Sequence, residues 1–129
     1  MTKKSYDSRR LLLGLFMSAL ALGCGSESTL DDAAALFVEA KQAVTDGDHE
    51  KAMGLLSASI SERPDSWAYL ERAKLHAADG NDAAANADIA AGLELVPEHS
   101  DLLWLRKEMK KESQSRFKGR SSRSPSAIK

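Results

Sequence analysis

The sequence contains only one cysteine, three prolines and few aromatic residues, which make up 5% of its 129 residues. A single cysteine excludes an intrachain disulfide, and no segment alternates apolar with polar residues for long enough to predict a strand. The sequence also lacks an HExxH motif, a glycine-rich phosphate loop and a nucleophile elbow, and His49, His76 and His99 are widely spaced. We therefore expect neither an enzyme active site nor a metal site.

Residues 1–23 have the layout of a secretory signal peptide. A positively charged stretch with four Lys and Arg residues precedes an apolar run from Leu11 to Leu22. The run is only twelve residues long, whereas a transmembrane helix needs about 20 residues to cross the hydrocarbon core. We therefore expect residues 1–23 to be cleaved after export rather than retained as a membrane span.

The segment from Leu20 to Cys24, LALGC, resembles the lipobox of bacterial lipoproteins. The resemblance implies cleavage before Cys24 and a covalent diacylglyceryl lipid on its sulfur, with no other cofactor. It also implies a lipid anchor in a membrane of the bacterial cell envelope, facing the periplasm, with residues 24–29 as the lipidated cysteine and a short linker. The alternative is an ordinary signal peptide followed by a chance cysteine.

Charge is divided unevenly along the rest of the chain, although the whole sequence has a net charge of only −1. Residues 24–105 carry sixteen acidic and five basic side chains, whereas residues 106–129 carry nine basic and two acidic ones. This distribution indicates an acidic body followed by a basic tail.

Residues 30–112 are predicted to be helical, because alanine is abundant and apolar residues recur at helical spacing. Four small or apolar positions return after 33 residues: Gly47, Ala52, Leu56 and Pro64 recur as Gly80, Ala85, Ile89 and Pro97. A fixed period in this range is typical of stacked structural repeats. We therefore predict an all-α fold with two helical hairpins, over 33–65 and 66–99, and a capping helix over 100–112.

Two segments of this pattern, TDGDHEKAMGLLSASISERP and ADGNDAAANADIAAGLELVP, resemble the tetratricopeptide repeat family. They match the end of the first helix of a repeat, the turn, the second helix and its closing proline. Ala40 and Ala73 stand at the family's small-residue position, whereas Ser59 and Gly92 depart from its usual alanine. Because two repeats are fewer than the roughly three needed for stable stacking, we expect a protein partner or a second copy of the chain to complete the structure.

The family resemblance places ligand binding on a concave face formed by the first helix of each repeat. On this sequence, the face would carry Phe37, Lys41, Val44, Trp67, Leu70, Lys74 and Ala77, extended by Lys107 from the capping helix. Aromatic groups beside spaced ammonium groups suit a peptide that bears acidic side chains or a carboxylate. The alternative is that the apolar members belong to the core and that the lysines are merely solvated.

Residues 113–129 are rich in Ser, Arg and Lys and poor in apolar residues, which predicts a disordered basic tail. Its candidate contact residues are Arg116, Lys118, Arg120 and Arg123. Since an exported protein would not meet nucleic acid, the expected partners are anionic lipid, cell-wall polymer or the chain's own acidic body. The alternative is a solvated tail without a role.

Together these features predict a membrane-anchored, non-enzymatic adaptor or scaffold in the bacterial cell envelope, with a protein or peptide partner. Two alternatives stay open: an accessory subunit of a larger envelope complex, and a binder of anionic lipid or cell-wall polymer through the basic tail. The formation of a homo-oligomer is also left open by the sequence.

Overall fold

The computed structural model describes residues 28–118 and 123–128, and within these ranges all regular structure is helical. Five α-helices are followed by two 3-10 helices, Ser113–Ser115 and Pro125–Ile128. The α-helices are α1 (Ser28–Asp46), α2 (His49–Glu62), α3 (Ser66–Ala78), α4 (Asp82–Leu95) and α5 (Ser100–Met109). The prediction of an all-α fold is therefore confirmed.

Several of the predicted features lie outside the described residues, namely the signal peptide over 1–23, the lipidation residue Cys24 and Arg120 of the tail. Among the helices that the structure describes, none is both long and apolar enough to cross a membrane.

The helices α1 and α2 form one hairpin and α3 and α4 form a second, and both hairpins use the same turn. Gly47 and Gly80 adopt the left-handed conformation, with φ of +80° and +76°, which a residue without a Cβ adopts at least cost. In the first turn, the Asp48 N–H donates to the Ala43 carbonyl at 2.9 Å. In the second turn, the same bond recurs 33 residues later, from Asn81 to His76, at 2.8 Å.

The second helix of each hairpin also begins in the same way. The Asp48 side chain accepts a hydrogen bond from the Lys51 N–H at 3.0 Å, and the Asn81 side chain accepts one from the Ala84 N–H at 3.2 Å. These side-chain oxygens satisfy amide groups that have no partner within the first turn of a helix. Asp48 is therefore the N-cap of α2, and Asn81 is the N-cap of α4.

The helices bury two hydrophobic clusters. The first cluster joins the first hairpin to α3, and it consists of small and branched side chains: Ala40, Ala43, Ala52, Leu56 and Ile60 from the first hairpin, with Ala68 and Leu75 from α3. The cluster of the second hairpin contains Leu70, Ala73, Ala85, Ile89, Leu102, Leu105 and Met109. Since the last three of these belong to α5, this helix covers the second hairpin as the predicted cap.

The two departures from alanine have separate structural reasons. The Ser59 hydroxyl is buried and donates to the Ala33 carbonyl at 2.9 Å, which ties the end of α2 to the start of α1. At Gly92, a Cβ atom would lie 2.6 Å from the Leu102 side chain. The glycine therefore allows α5 to pack closely against α4.

Two helix boundaries differ from the predicted ones. Helix α1 already begins at Ser28, so the last two residues of the predicted linker are helical. Helix α5 ends at Met109 instead of near residue 112, because the Arg116 guanidinium donates to the carbonyls of Met109 and Lys111. Those carbonyls at the end of a helix have no partner within it, and Arg116 satisfies them where the chain turns back.

Candidate functional site

Two of the predicted site residues, Lys41 and Lys74, meet at one carboxylate on the first helices of the hairpins. The Lys41 ammonium lies 3.2 Å from Oε2 of Glu71, and the Lys74 ammonium lies 3.0 Å from Oε1. Glu71 is only 8% exposed, whereas Lys41 is exposed and Lys74 is partly exposed. The predicted row of separate charges is thus a Lys–Glu–Lys cluster, whose ammonium groups retain hydrogen-bond donors for a further acid.

The apolar residues predicted for the same face are divided between the core and the surface. Contrary to the prediction, Leu70 is fully buried in the second cluster because α5 packs over it. Phe37 and Val44 are partly buried against the first cluster, and Ala77 packs against the second. For these apolar residues, most contacts agree with the alternative stated above, namely that they belong to the core.

The remaining two residues predicted for this face are Trp67 and Lys107. Trp67 is 45% exposed at the start of α3, and its ring meets the His99 ring edge to face at a centroid distance of 4.3 Å. Lys107 is exposed on α5.

An open groove of about 820 Å³ lies between α3 and the first part of the tail. It is lined by Lys74, Ala77, Ala78, Gly80, Asp82, Trp104, Ser113, Arg116 and Phe117. The groove therefore contains two predicted site residues, Lys74 and Ala77, and joins them to an aromatic pair that sequence reasoning missed. The centroids of Trp104 and Phe117 lie 5.8 Å apart.

The floor of this groove is held together by an ion pair between the tail and the body. The Arg116 guanidinium makes two hydrogen bonds to the Asp82 carboxylate, at 2.7 and 2.8 Å, and its side chain is only 11% exposed. These hydrogen bonds hold the pKa of Asp82 below its usual range. Of the partners predicted for the tail, Arg116 contacts the chain's own acidic body, so its charge is already engaged.

The tail also satisfies two buried carboxylates on α5. Glu108 accepts hydrogen bonds from the Lys111 ammonium and from the Phe117 N–H, the latter at 2.9 Å. Asp101 accepts from the N–H of Ser126 at 3.0 Å and from its hydroxyl. Although burial acts in the opposite direction, these hydrogen bonds lower the pKa of both carboxyl groups.

These contacts change the prediction for the tail. Within residues 113–118 and 123–126, the chain folds onto α5 instead of being disordered, because Asp101 and Glu108 need donors that the tail supplies. Lys118 and Arg123 remain exposed. The signal that could have been noticed is the single Phe117 beside Arg116, since an aromatic residue is unusual in a solvated tail.

A second polar cluster joins three helices away from the groove. The Arg72 guanidinium donates to the Asp88 carboxylate at 2.9 and 2.7 Å and to the Ser57 hydroxyl at 3.1 Å. His76 lies 3.8 Å from the same carboxylate. Because Ser57, Arg72 and Asp88 lie on α2, α3 and α4, this cluster connects the two hairpins, and its groups are already paired with each other.

Metal-ligating residue types are scattered over residues 28–118 and 123–128. No group of three or more His, Cys, Asp or Glu side chains there is arranged to hold a metal ion. Comparison with family models, with curated proteins and with solved structures finds no match for this chain. Any assignment of function therefore depends on the geometry described above.

Proposed function

We propose that this protein is a lipid-anchored adaptor of the bacterial cell envelope, built from two tetratricopeptide-like repeats and without enzymatic activity. The observation that carries the proposal is the Lys–Glu–Lys cluster beside the groove, in which Lys41 is exposed and Lys74 is partly exposed. The recurrence of one hairpin, with the same turn and the same helix cap after 33 residues, supports the repeat assignment. Hairpins of this kind provide surface for a partner rather than reactive groups.

The chemistry of the groove favours a peptide segment that carries one acidic and one apolar side chain. Lys41 and Lys74 both pair with the Glu71 carboxylate, so these three side chains together keep a positive charge, and Lys74 also acts on the buried Asp101 carboxylate. Ala77 and Trp104 provide an apolar surface next to Lys74. An acidic side chain on the lysines and an apolar side chain beside Trp104 would use both features at once.

The groove is a better candidate than the tail for the recognition of a partner. Binding of anionic polymer through the tail would need free guanidinium groups, and Arg116 is paired with Asp82 and largely buried. In the part of the tail that the structure describes, Lys118 and Arg123 are exposed, and exposed cations of this kind give a weak and salt-sensitive attraction.

A site-specific cross-linking experiment tests the groove. A photoreactive residue would replace Ala78, which lines the groove, or Ala87, which is exposed on α4. In cells that express the full chain, we expect position 78 to capture a protein that position 87 does not capture. Lys41→Ala with Lys74→Ala should reduce the product at least fivefold, whereas Lys110→Ala, at the residue after α5, should not. Equal products at both positions would contradict the proposal.

The lipid anchor has a separate test. Mass spectrometry of the mature N-terminus should detect a diacylglyceryl group on Cys24, and Cys24→Ser should move the protein from the membrane fraction to the soluble fraction. A mature protein whose Cys24 thiol is unmodified would refute the anchor while leaving the groove untouched.

A further inference from the structure

Three large apolar side chains are exposed at one end of the helix stack. Trp67, Leu95 and Val96 are 45%, 48% and 42% exposed. The Trp67 ring contacts the ring of His99, and the backbone N–H of His99 donates to the Val96 carbonyl at 3.1 Å. These contacts place the tryptophan beside the turn that follows α4, so the three residues lie at the same end of the stack.

The same end of the stack contains the start of α1. The turns at Gly47 and Gly80 close the two hairpins at the opposite end, so the first residue of α1 lies on the side where α2 and α4 finish and α3 begins. The hydrogen bond from Ser59 to Ala33 shows this directly, because it joins the last part of α2 to the first part of α1. We call this end, with Ser28, Trp67, Leu95 and Val96, the anchor end.

The chain between the anchor end and the proposed lipid is short. Ser28 follows Cys24 by four residues, and four residues span at most about 14 Å when fully extended. A lipid on Cys24 would therefore hold the anchor end close to the headgroups of the membrane.

From this geometry, we propose that the anchor end rests on the lipid surface, with Trp67, Leu95 and Val96 in the headgroup interface. The inference depends on the lipid anchor of the proposed function. Tryptophan suits such an interface because its ring is apolar and its N–H can meet polar groups. Leu95 and Val96 extend the same surface and would leave water on contact.

The charge around these side chains selects the kind of lipid. Glu62, Glu94 and Glu98 are exposed at or beside the ends of α2 and α4. One exposed basic residue, Arg63, follows Glu62 directly in the sequence. An acidic rim repels an anionic membrane, whereas the ammonium groups of zwitterionic lipids can approach its carboxylates. The anchor end is therefore matched to a surface rich in phosphatidylethanolamine.

Quenching of tryptophan fluorescence by brominated lipid tests the contact. The full lipidated protein would be placed in vesicles of phosphatidylethanolamine and brominated phosphatidylcholine. Trp104→Phe leaves Trp67 as the reporter, because the sequence has two tryptophans. We expect at least half of the Trp67 emission to be lost. The matched variant Trp67→Phe, which reports on Trp104 in the middle of α5, should lose less than a tenth.

Substitutions at the surface identify the side chains responsible. Leu95→Ser with Val96→Ser should reduce the quenching of Trp67 at least twofold. Val38→Ser removes a side chain that is 66% exposed on α1, and it should leave the quenching unchanged. Addition of phosphatidylglycerol should weaken the quenching, and a stronger signal with this anionic lipid would overturn the assignment of lipid class.

The remaining outcomes separate this inference from the proposed function. Protein that floats with the vesicles while Trp67 stays unquenched would overturn the contact and keep the anchor. Protein that does not float would overturn both. A Cys24→Ser chain that dimerises in solution, and that loses the dimer on Leu95→Ser with Val96→Ser, would identify the surface as a protein interface and overturn its assignment to lipid.

Discussion

The two hairpins have the same turns and helix caps, but they differ in what packs against their outer sides. The second hairpin is covered by α5, which buries Leu102 and Leu105 against it, and α5 is in turn covered by the tail. On the outer side of the first hairpin, Val38 of α1 is exposed. The repeated residues thus determine how each hairpin closes on itself, and the residues that do not repeat determine how the stack ends.

The difference is also visible at one equivalent position. Ser59 in the first hairpin bonds within its own hairpin, to Ala33, whereas Gly92 in the second makes room for Leu102 of the next helix. A serine at position 92 would bring its Cβ against Leu102. The same position in the repeat therefore joins the two helices of the first hairpin, and in the second hairpin it allows the next helix, α5, to pack against α4.

The largest expected effect tests whether α5 is an integral part of the second hairpin. Leu56→Ala and Leu105→Ala each remove a fully buried side chain, one from each cluster. Each should lower the free energy of unfolding by about 3 kcal/mol, because a cavity replaces the lost contacts. Urea unfolding followed by circular dichroism measures both. A loss of less than about 1 kcal/mol for Leu105→Ala would mean that the site collapses easily and that α5 packs only loosely.

A smaller effect tests the equality of the two turns. Gly47→Ala and Gly80→Ala should each lower the free energy of unfolding by about 1–2 kcal/mol, because an alanine is strained in the left-handed conformation. No atom lies within 4 Å of the added Cβ at either position, so a steric clash does not contribute. Gly54→Ala is the control, since it lies inside α2 with the same open space. It should raise the stability by up to about 1 kcal/mol. Unequal costs at the two turn glycines would break the equivalence of the hairpins.

Removal of the helix cap should lower the free energy of unfolding by about the same amount in both hairpins. Asp48→Ala and Asn81→Ala each remove the side-chain acceptor at the start of a second helix, at a cost of about 1 kcal/mol. Asn86→Ala, at an exposed position within α4, is the control and should be neutral or slightly stabilising. Thermal unfolding of the three variants gives the comparison, and a cap effect found in only one hairpin would contradict it.

The smallest effect is confined to the tail and depends on pH. The pKa values of Asp101 and Glu108 are lowered in the folded chain. The stability that they contribute is therefore complete above their unfolded values, about 4, and is lost as the pH falls through the folded values. Hydrogen exchange should show that the N–H groups of Phe117 and Ser126 lose protection on acidification before those of Asp48 and Asn81.

Glu108→Gln provides the control for this experiment, because it removes the titrating group and keeps an acceptor for the Phe117 N–H. The exchange of this amide should then depend less on pH between about 5 and 3. Simultaneous loss of protection in the tail and in both turns would show that the chain unfolds as one unit. This result would contradict the expectation that the tail detaches from α5 before the hairpins open.

The hairpins could be predicted from the sequence because their signals are local. Gly47 and Gly80 require a particular backbone conformation, and Asp48 and Asn81 bond to amides only three residues away. Such features repeat wherever the residues repeat. The boundary of α5 was less accurate, because it depends on Arg116, which lies beyond the end of the helix.

The site could be predicted only in part, because its contacts join residues that are distant in the sequence. The 33-residue period places Lys41 and Lys74 on one side, but it gives no sign that both bind Glu71. Likewise, a basic tail is expected to be solvated unless its partner is known. Arg116 is ordered by Asp82, 34 residues earlier, and no local pattern indicates that pair.

The carboxylates on the outer side of α5 also limit how far this stack can grow. A further hairpin would present an apolar packing face, which has no donors to replace the Ser126 and Phe117 groups that bond to Asp101 and Glu108. The tail provides those donors and thereby ends the stack at α5. In α1, the exposed turn around Val38 contains one acidic residue, Glu39, and its side chain is exposed instead of buried. The molecule therefore has a polarity along its stacking axis, and any extension by another subunit would begin at α1.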